Sequence, residues 1–546
     1  MPRTTAVASK RTPRDPPRSR LVIAFGDQLD LDAALIRSVG PGDTVLMMEV
    51  AAESLHVPSH RQRTAIFLSA MRHFADELVR REVRVRYITL DDPENSGAFE
   101  TEIIRAAAAL KPSEIVCTQP GEWRVLAMLD RVRGSTGVPV SVLPDEHFLT
   151  TPEEFAAWAE DRTALTMEYF YREQRRKTGY LMEGRGKSAK PVGGEWNFDK
   201  ENRLPFGKQG PSPRPRQPLR FKPDEITRAV IAAIGRVLPD LPGSIESFDW
   251  PVTRAQALEA LDDFITHRLS QFGPFEDAMW SSEPTLYHST LSSSLNLKLL
   301  NPRECCERAI AAYRAGDAPL QSVEAFVRQI IGWREFIRGV YWLEGPTYAD
   351  RNGLDQHGEL PPLYWTGDTD MACMKACIGQ VLDSGFGHHI QRLMVTGNFA
   401  LISGVHPRAV SDWYLGMFID GVDWVTLPNA LGMVMHADRR SNAPKGVTGL
   451  VGTKPYAASG KYIERMSNYC TTCRYDPSER SGTSACPFTV FYWDFLIRNR
   501  AKLAPNQRMS MILNNLERMT PEARTQLTID AELLRRKLGI TIEVRE

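Results

Sequence analysis

Strand-like and helix-like runs alternate through about the first 150 residues, whereas nearly every patterned run beyond about residue 224 is helical. Together these predict an α/β domain on a parallel sheet, followed by a large all-α domain. The strand candidates are Leu21–Gly26, Asp43–Val50, Val83–Leu90, Glu114–Gln119 and Val138–Pro144, each short and rich in aliphatic residues. Between them, Arg61–Arg80 and Ala98–Leu110 carry apolar residues at helical spacing. Such alternation gives a Rossmann- or flavodoxin-like sheet, whose ligands sit at the carboxyl ends of strands where the strand order reverses. Asp27 and Gln28, after the first strand, and Glu53, after the second, occupy such ends. In the second part, Thr253–Gln271, Pro302–Ala315, Val323–Trp342, Met371–Ser384, His388–Ile402 and His406–Phe418 are the clearest helices.

Composition sets the boundaries. Residues 1–20 are basic and Pro-rich without an apolar core, which makes them a disordered arm and weak nucleic-acid tether, not a secretory signal. Residues 21–150 form the α/β domain, 151–223 a connector and 224–546 the helical domain. The connector is rich in Gly, Pro, Lys and Arg from Gly184 to Lys222. Its Gly184-Arg185-Gly186-Lys187-Ser188 is no phosphate loop, because Leu181 stands where the first glycine belongs and no apolar strand precedes it. Lys plus Arg and Asp plus Glu both total 67, so any affinity for nucleic acid needs a local patch. Thr166–Gly179, with Tyr169, Phe170, Tyr171, Arg172, Arg175, Arg176 and Lys177, is either such a patch or a solvated helix face. No run reaches the roughly 18 apolar residues of a membrane span. The eight cysteines, without a signal peptide, suit a reducing cytoplasm.

Three of those cysteines read C-x2-C-x12-C-P: Cys470, Cys473 and Cys486, the last followed by Pro487. Thiolates separated by two residues reach one metal from a single turn of backbone. A third, plus one from upstream, completes a four-cysteine site for zinc or an iron–sulfur cluster, and spacing does not choose between them. Four other stretches carry chemistry. Tyr287–Ser294 is a hydroxyl-rich turn suited to phosphate. Arg328–Phe336 sets an Arg–Glu pair on an apolar helix, and His388-His389-Ile390-Gln391-Arg392 sets two imidazoles and a guanidinium on another. Asp420 and Asp423 follow in Phe418–Trp424.

The order of these blocks resembles the photolyase/cryptochrome flavoproteins, and within them the iron–sulfur bacterial branch of prokaryotic 6-4 photolyases and related cryptochromes. The resemblance runs from about Leu21 to the C-terminal helices. Its specific blocks are Gly26-Asp27-Gln28-Leu29, Gly121-Glu122-Trp123-Arg124, Met167–Arg172, Trp333-Arg334-Glu335-Phe336, His388–Arg392, Gly452-Thr453-Lys454-Pro455-Tyr456 and the cysteine run.

The resemblance implies an FAD in the helical domain, with Ser289, Leu291 and Ser292 at its phosphates and ribityl part. Arg334, Arg392, Asp420 and Asp423 would line or brace the isoalloxazine site. It implies a 4Fe–4S cluster on Cys373, Cys470, Cys473 and Cys486; Cys377, four residues along the same helix face, is the alternative to Cys373. Trp413, Tyr414, Trp365 and Tyr462 match an electron path. His388 and His389 would supply the proton at a lesion, since imidazole titrates near neutral pH, and Tyr456 would contact lesion or flavin. The α/β domain would hold a 6,7-dimethyl-8-ribityllumazine antenna on Asp27, Gln28 and Glu53.

The function so implied is light-driven repair of UV-damaged DNA at 6-4 pyrimidine photoproducts, by electron transfer from photoexcited reduced FAD to a flipped-out lesion. The expected form is a cytoplasmic monomer, at the nucleoid when bound to DNA. The alternative is a blue-light photoreceptor without repair activity, read by a protein partner. A primase-like iron–sulfur enzyme would need a carboxylate metal centre or a nucleotide loop, and the sequence offers neither. Two features depart from the family. Thr426 stands where relatives often carry an acid facing the flavin ring, and Asp438–Leu450, with Arg439, Arg440, Asn442, Pro444 and Lys445, is a longer loop that clamps DNA or is an inert insertion.

Overall fold

The computed structural model describes residues 19–541, except 163, 185, 441–442 and 444–448. Most of the basic arm, with Asn442, Pro444 and Lys445, therefore lies outside the described residues.

Five parallel strands form one sheet: β1 (Arg20–Ile23), β2 (Thr44–Met48), β3 (Val85–Ile88), β4 (Glu114–Thr118) and β5 (Val140–Leu143), in the order β3-β2-β1-β4-β5. Four fall inside the predicted runs, and β1 begins one residue before its run, at Arg20. Successive residues point to opposite faces, and the two faces sort into separate cores. Val22, Val45 and Val116, mutually in register, pack against Ala65, Ile66 and Phe74 of the helix Arg61–Arg80. Leu21, Ile23, Leu46 and Ile115 pack against Ile103, Met128 and Leu129, from the helices Phe99–Leu110 and Trp123–Thr136. β2 is buried throughout, as expected of an inner parallel strand. From β3 the chain returns across the sheet to β4, beside β1. The strand order thus reverses at β1 and β4, which opens a crevice beyond their carboxyl ends.

Among the described residues, the remaining regular elements are helical apart from one short hairpin. Two predicted helices change shape. Thr253–Gln271 breaks at Arg268 into Arg254–His267 and Leu269–Phe275, because the buried Arg268 turns back to Asp263 at 2.6 Å. Val323–Trp342 lies within one helical run, 320–344, whose middle, Arg328–Arg334, is a π-helix. A second π-segment, Gln391–Gly397, leads into Asn398–Ser403. The wider turn rotates the side chains that follow, and such insertions concentrate at functional sites. Here they carry Arg334 and Arg392.

The connector is more than a tether. Met182–Glu183 pairs antiparallel with Lys190–Pro191, and Arg175 donates to Trp196 O at 3.0 Å. Within Thr166–Gly179, Phe170, Tyr171 and Arg175 are fully buried, and Lys177 pairs with Glu154 at 2.8 Å. Three of the seven residues named for that patch are therefore core. No helix among the described residues is long and apolar enough to cross a membrane.

Candidate active site and cofactor sites

The crevice at the sheet's switch point is a cavity of about 100 Å³, walled by Phe25, Met48, Phe67, Met71 and Phe99 with polar groups Asp27, Glu53, Arg63, Glu122 and Arg124. Burial pushes the Asp27 carboxyl up to about 6, against the opposing charge of Lys298. Glu53 is held by Arg124 at 2.8 and 2.7 Å, and Arg124 also reaches Glu122 at 2.8 Å. Gln28 is turned away from the cavity centre: its amide donates to Thr118 O and Gln119 O, both at 3.2 Å, and braces the end of β4. Arg63 was not legible as part of this site, since it lies on a helix far along the chain from β4.

In the helical domain, Arg392 and Asp420 pair at 2.9 Å, with the guanidinium 3.8 Å over the Phe418 ring. Asn296 donates to Asp420 O at 2.9 Å, tying the Ser289–Asn296 turn to that pair. Buried in this turn, the Ser293 and Ser294 hydroxyls have no hydrogen-bond partner in the protein. Orphaned hydroxyls in a turn tied to a partly buried ion pair fit a polar cofactor. Thr426 is buried on the short helix Asp423–Pro428.

Asp423 faces elsewhere. The chain turns tightly at Gly421, where a Cβ would come 2.2 Å from Leu415 O, so the two carboxylates diverge. Tyr341 donates to Asp423 Oδ2 at 2.6 Å, and burial together with Glu122 pushes that carboxyl up to about 7. Arg334 is likewise a seam residue. Its guanidinium lies between Phe148 (4.2 Å) and Trp424 (5.0 Å) without a hydrogen bond, and burial lowers its pKa to about 10. Glu335 accepts from Leu149 N and Thr150 N at 3.0 Å each, so this Arg–Glu block clasps the segment that leaves the sheet.

An aromatic chain leads outward from the Arg392 site. Phe418 meets Tyr414 at 5.1 Å between ring centroids, Tyr414 meets Trp413 at 5.7 Å, and Trp413 meets Tyr364 at 5.2 Å. Trp365, next in sequence to Tyr364, is exposed. Tyr462 does not join this chain. It sits under Arg465 at 5.5 Å, near Arg203 and Asp277, on the side of His389 and the exposed Tyr456.

His388 stacks on His288 at 4.2 Å, and His389 lies 5.4 Å from His288. Burial drives His388 well below the ordinary histidine range and His288 down to about 3. Burial also opposes charge on His389, but its pairing with Asp277 (3.4 Å) and the charge of Glu276 prevail, and its pKa is raised. Of the three rings, His389 is thus the one whose charged form its neighbours favour, and its half-exposed face opens to solvent. The three rings lie within metal-binding reach of one another. However, both nitrogens of His288 meet carbonyl oxygens, of Thr285 at 3.1 Å and Glu276 at 3.2 Å, and its ring is nearly parallel to that of His388. That geometry suits a proton site better than a metal.

Cys373, Cys470, Cys473 and Cys486 line one small cavity, and none is in a disulfide. A Cβ on Gly460 would come 2.8 Å from Cys486 Sγ, so glycine keeps the room open. Cys377 is not in the lining; its thiol meets Tyr469 Oη at 3.9 Å. Four free thiols around one opening are a donor set that fits an iron–sulfur cluster or zinc.

This architecture is that of the photolyase and cryptochrome class. A bacterial class III photolyase from Agrobacterium tumefaciens shares the fold with a TM-score of 0.52 at 13% identity, over 96% of this chain and 99% of that one. A Synechocystis cryptochrome does so with a TM-score of 0.52 at 17% identity, over 83% and 89%. Residues 22–250 match the family described as deoxyribodipyrimidine photo-lyase-related protein. The (6-4) photolyase of Agrobacterium fabrum is 48% identical over 521 residues, 95% of this chain and 100% of that protein. The chain belongs to the photolyase/cryptochrome family, in the branch of bacterial (6-4) photolyases. Membership of this flavoprotein family implies FAD.

Proposed function

We propose that this protein repairs 6-4 photoproducts in UV-damaged DNA under blue light. The observation that carries this reading is the histidine cluster with its half-exposed outer ring, where Asp277 favours a charged His389 beside a neutral His388, in a chain 48% identical to a (6-4) photolyase. Reduced FAD, when bound and photoexcited, supplies the electron. The remaining work belongs to the protein. His389 holds the proton at Nδ1 or Nε2 for the group that moves between the two bases, and Asp277 orients its ring. Tyr456 and Tyr462 offer faces for bases lifted out of the stack. Arg203, Arg465 and Arg508 around them supply a local positive patch for phosphates, which the balanced overall charge does not.

Arg392, Asp420, Ser289, Leu291 and Ser292 would hold the flavin, with Thr426 near the ring, whereas Arg334 and Asp423 would act at one remove, through the domain seam. Cys373, Cys470, Cys473 and Cys486 would hold a 4Fe–4S cluster that pins the C-terminal segment to the helical domain. The switch-point cavity would hold a ribityllumazine antenna against Asp27 and Glu53. Trp413, Tyr414 and Trp365, with Tyr364 between, form the route by which electrons re-enter from the surface. The test is His389→Ala: 6-4 repair is abolished while flavin photoreduction persists, and unchanged repair would remove His389 from the reaction.

A further inference from the structure

We propose that Gln391 and Tyr469 are positioning residues that set the two lesion-pocket histidines from the cysteine-bearing elements. The inference rests on the repair reading for what those histidines do, and on geometry for how they are held. Gln391 is 3% exposed and fills all four of its hydrogen-bond positions. Its Oε1 accepts from His388 N at 3.0 Å and from Gln380 Nε2 at 3.2 Å. Its Nε2 donates to Gln380 Oε1 at 2.9 Å and to Tyr469 Oη at 3.3 Å. A buried amide saturated in this way has one orientation, since flipping it would set donor against donor.

Each of these partners leads somewhere. The bond to His388 N is half of a capping box: a Gln in the first turn reaches back to the N–H at the helix start, and so fixes how the chain enters at His388-His389. Gln380 lies on the helix Ala372–Ser384, two turns beyond Cys373 and on the same face. Tyr469 immediately precedes Cys470, lines the cysteine cavity, and also meets the Cys377 thiol. The two cysteine-bearing segments, far apart in sequence, therefore converge on a single amide whose carbonyl holds His388. Displacement of either segment is felt at His388 N and, one residue on, at the ring that pairs with Asp277. The groups facing that ring are Asp277, Glu276, His288, His388 and Arg392.

The test compares Gln391→Leu and Tyr469→Phe with the parent, each as full-length holoprotein with iron and flavin measured. The first readout is hydrogen exchange in the dark over residues 386–392, which is independent of repair. The second is single-turnover 6-4 repair as a function of pH. Gln391→Leu is expected to exchange at His388 about 10-fold faster and to repair about 10-fold more slowly, with a displaced pH midpoint, while iron and flavin photoreduction are retained. Tyr469→Phe, which keeps the ring, is expected to show about 3-fold effects on both. Unchanged exchange and repair in both variants would overturn the inference. So would loss of iron from Tyr469→Phe, which would make that hydroxyl a structural part of the cysteine site. A parent protein that repairs nothing would refute the repair reading alone, and exchange would still decide the positioning.

Discussion

Replacing Asp277 by Asn should move the pH dependence of repair without lowering its maximum. Asp277 lies 3.4 Å from His389 Nε2, and the His389 side chain is half exposed, so the pair interacts through a largely aqueous medium. At that separation a water-like dielectric gives about 1 kcal/mol. Since about 1.4 kcal/mol corresponds to one pH unit, the midpoint should fall by somewhat less than a unit. The sign follows from the raised pKa: the charged imidazole, and the repair that needs it, are present at low pH and lost as pH rises through that value. Asn removes the charge and retains the shape. At pH 8 the repair rate should drop about 5-fold, and at pH 6 by less than about 2-fold. Single-turnover repair of a 6-4 oligonucleotide under saturating blue light, from pH 5.5 to 9, measures both. An unmoved midpoint, or an equal loss at every pH, would refute this account of His389.

Other outcomes follow from the same geometry. Cys373→Ser should lose bound iron, whereas Cys377→Ser should keep it, because only the first thiol lines the cavity with Cys470, Cys473 and Cys486; iron and sulfide analysis separates them. Trp413→Phe should slow photoreduction of oxidised flavin by at least about 10-fold while leaving repair by chemically pre-reduced protein unchanged. Gly121→Ala places a Cβ 2.7 Å from Asp27 Oδ2 and 3.1 Å from Trp424, so it should deplete the antenna but spare flavin content, as absorbance spectra would show.

All five strands were legible because each short aliphatic run had its own place between helical patterns. The order reversal at β1 and β4 gave Asp27 and Glu53 their cavity. The cysteine run was legible because its spacing carries geometry. What stayed hidden depends on direction within an element. Arg175 reads like any basic residue of an exposed helix, yet is fully buried with its guanidinium on backbone carbonyls. Asp423 lies three residues after Asp420, and only the turn at Gly421 shows that the two face different sites. The π-segments leave no periodic signature, so the aim of Arg334 could not be read from helical spacing. His288 gave no sign that it would stack under His388 from a segment 100 residues earlier in the chain. Tyr462 lies eight residues before Cys470 but sits near Asp277, the partner of His389.

The most direct test of the repair account is exposure of a single-stranded oligonucleotide carrying one 6-4 photoproduct to the flavin-loaded, reduced protein under blue light, with a dark control and chromatography of the product. The account predicts light-dependent return of two intact pyrimidines, and none in the dark. No repair from protein with full flavin and iron would contradict it and leave a photoreceptor as the reading of this chain.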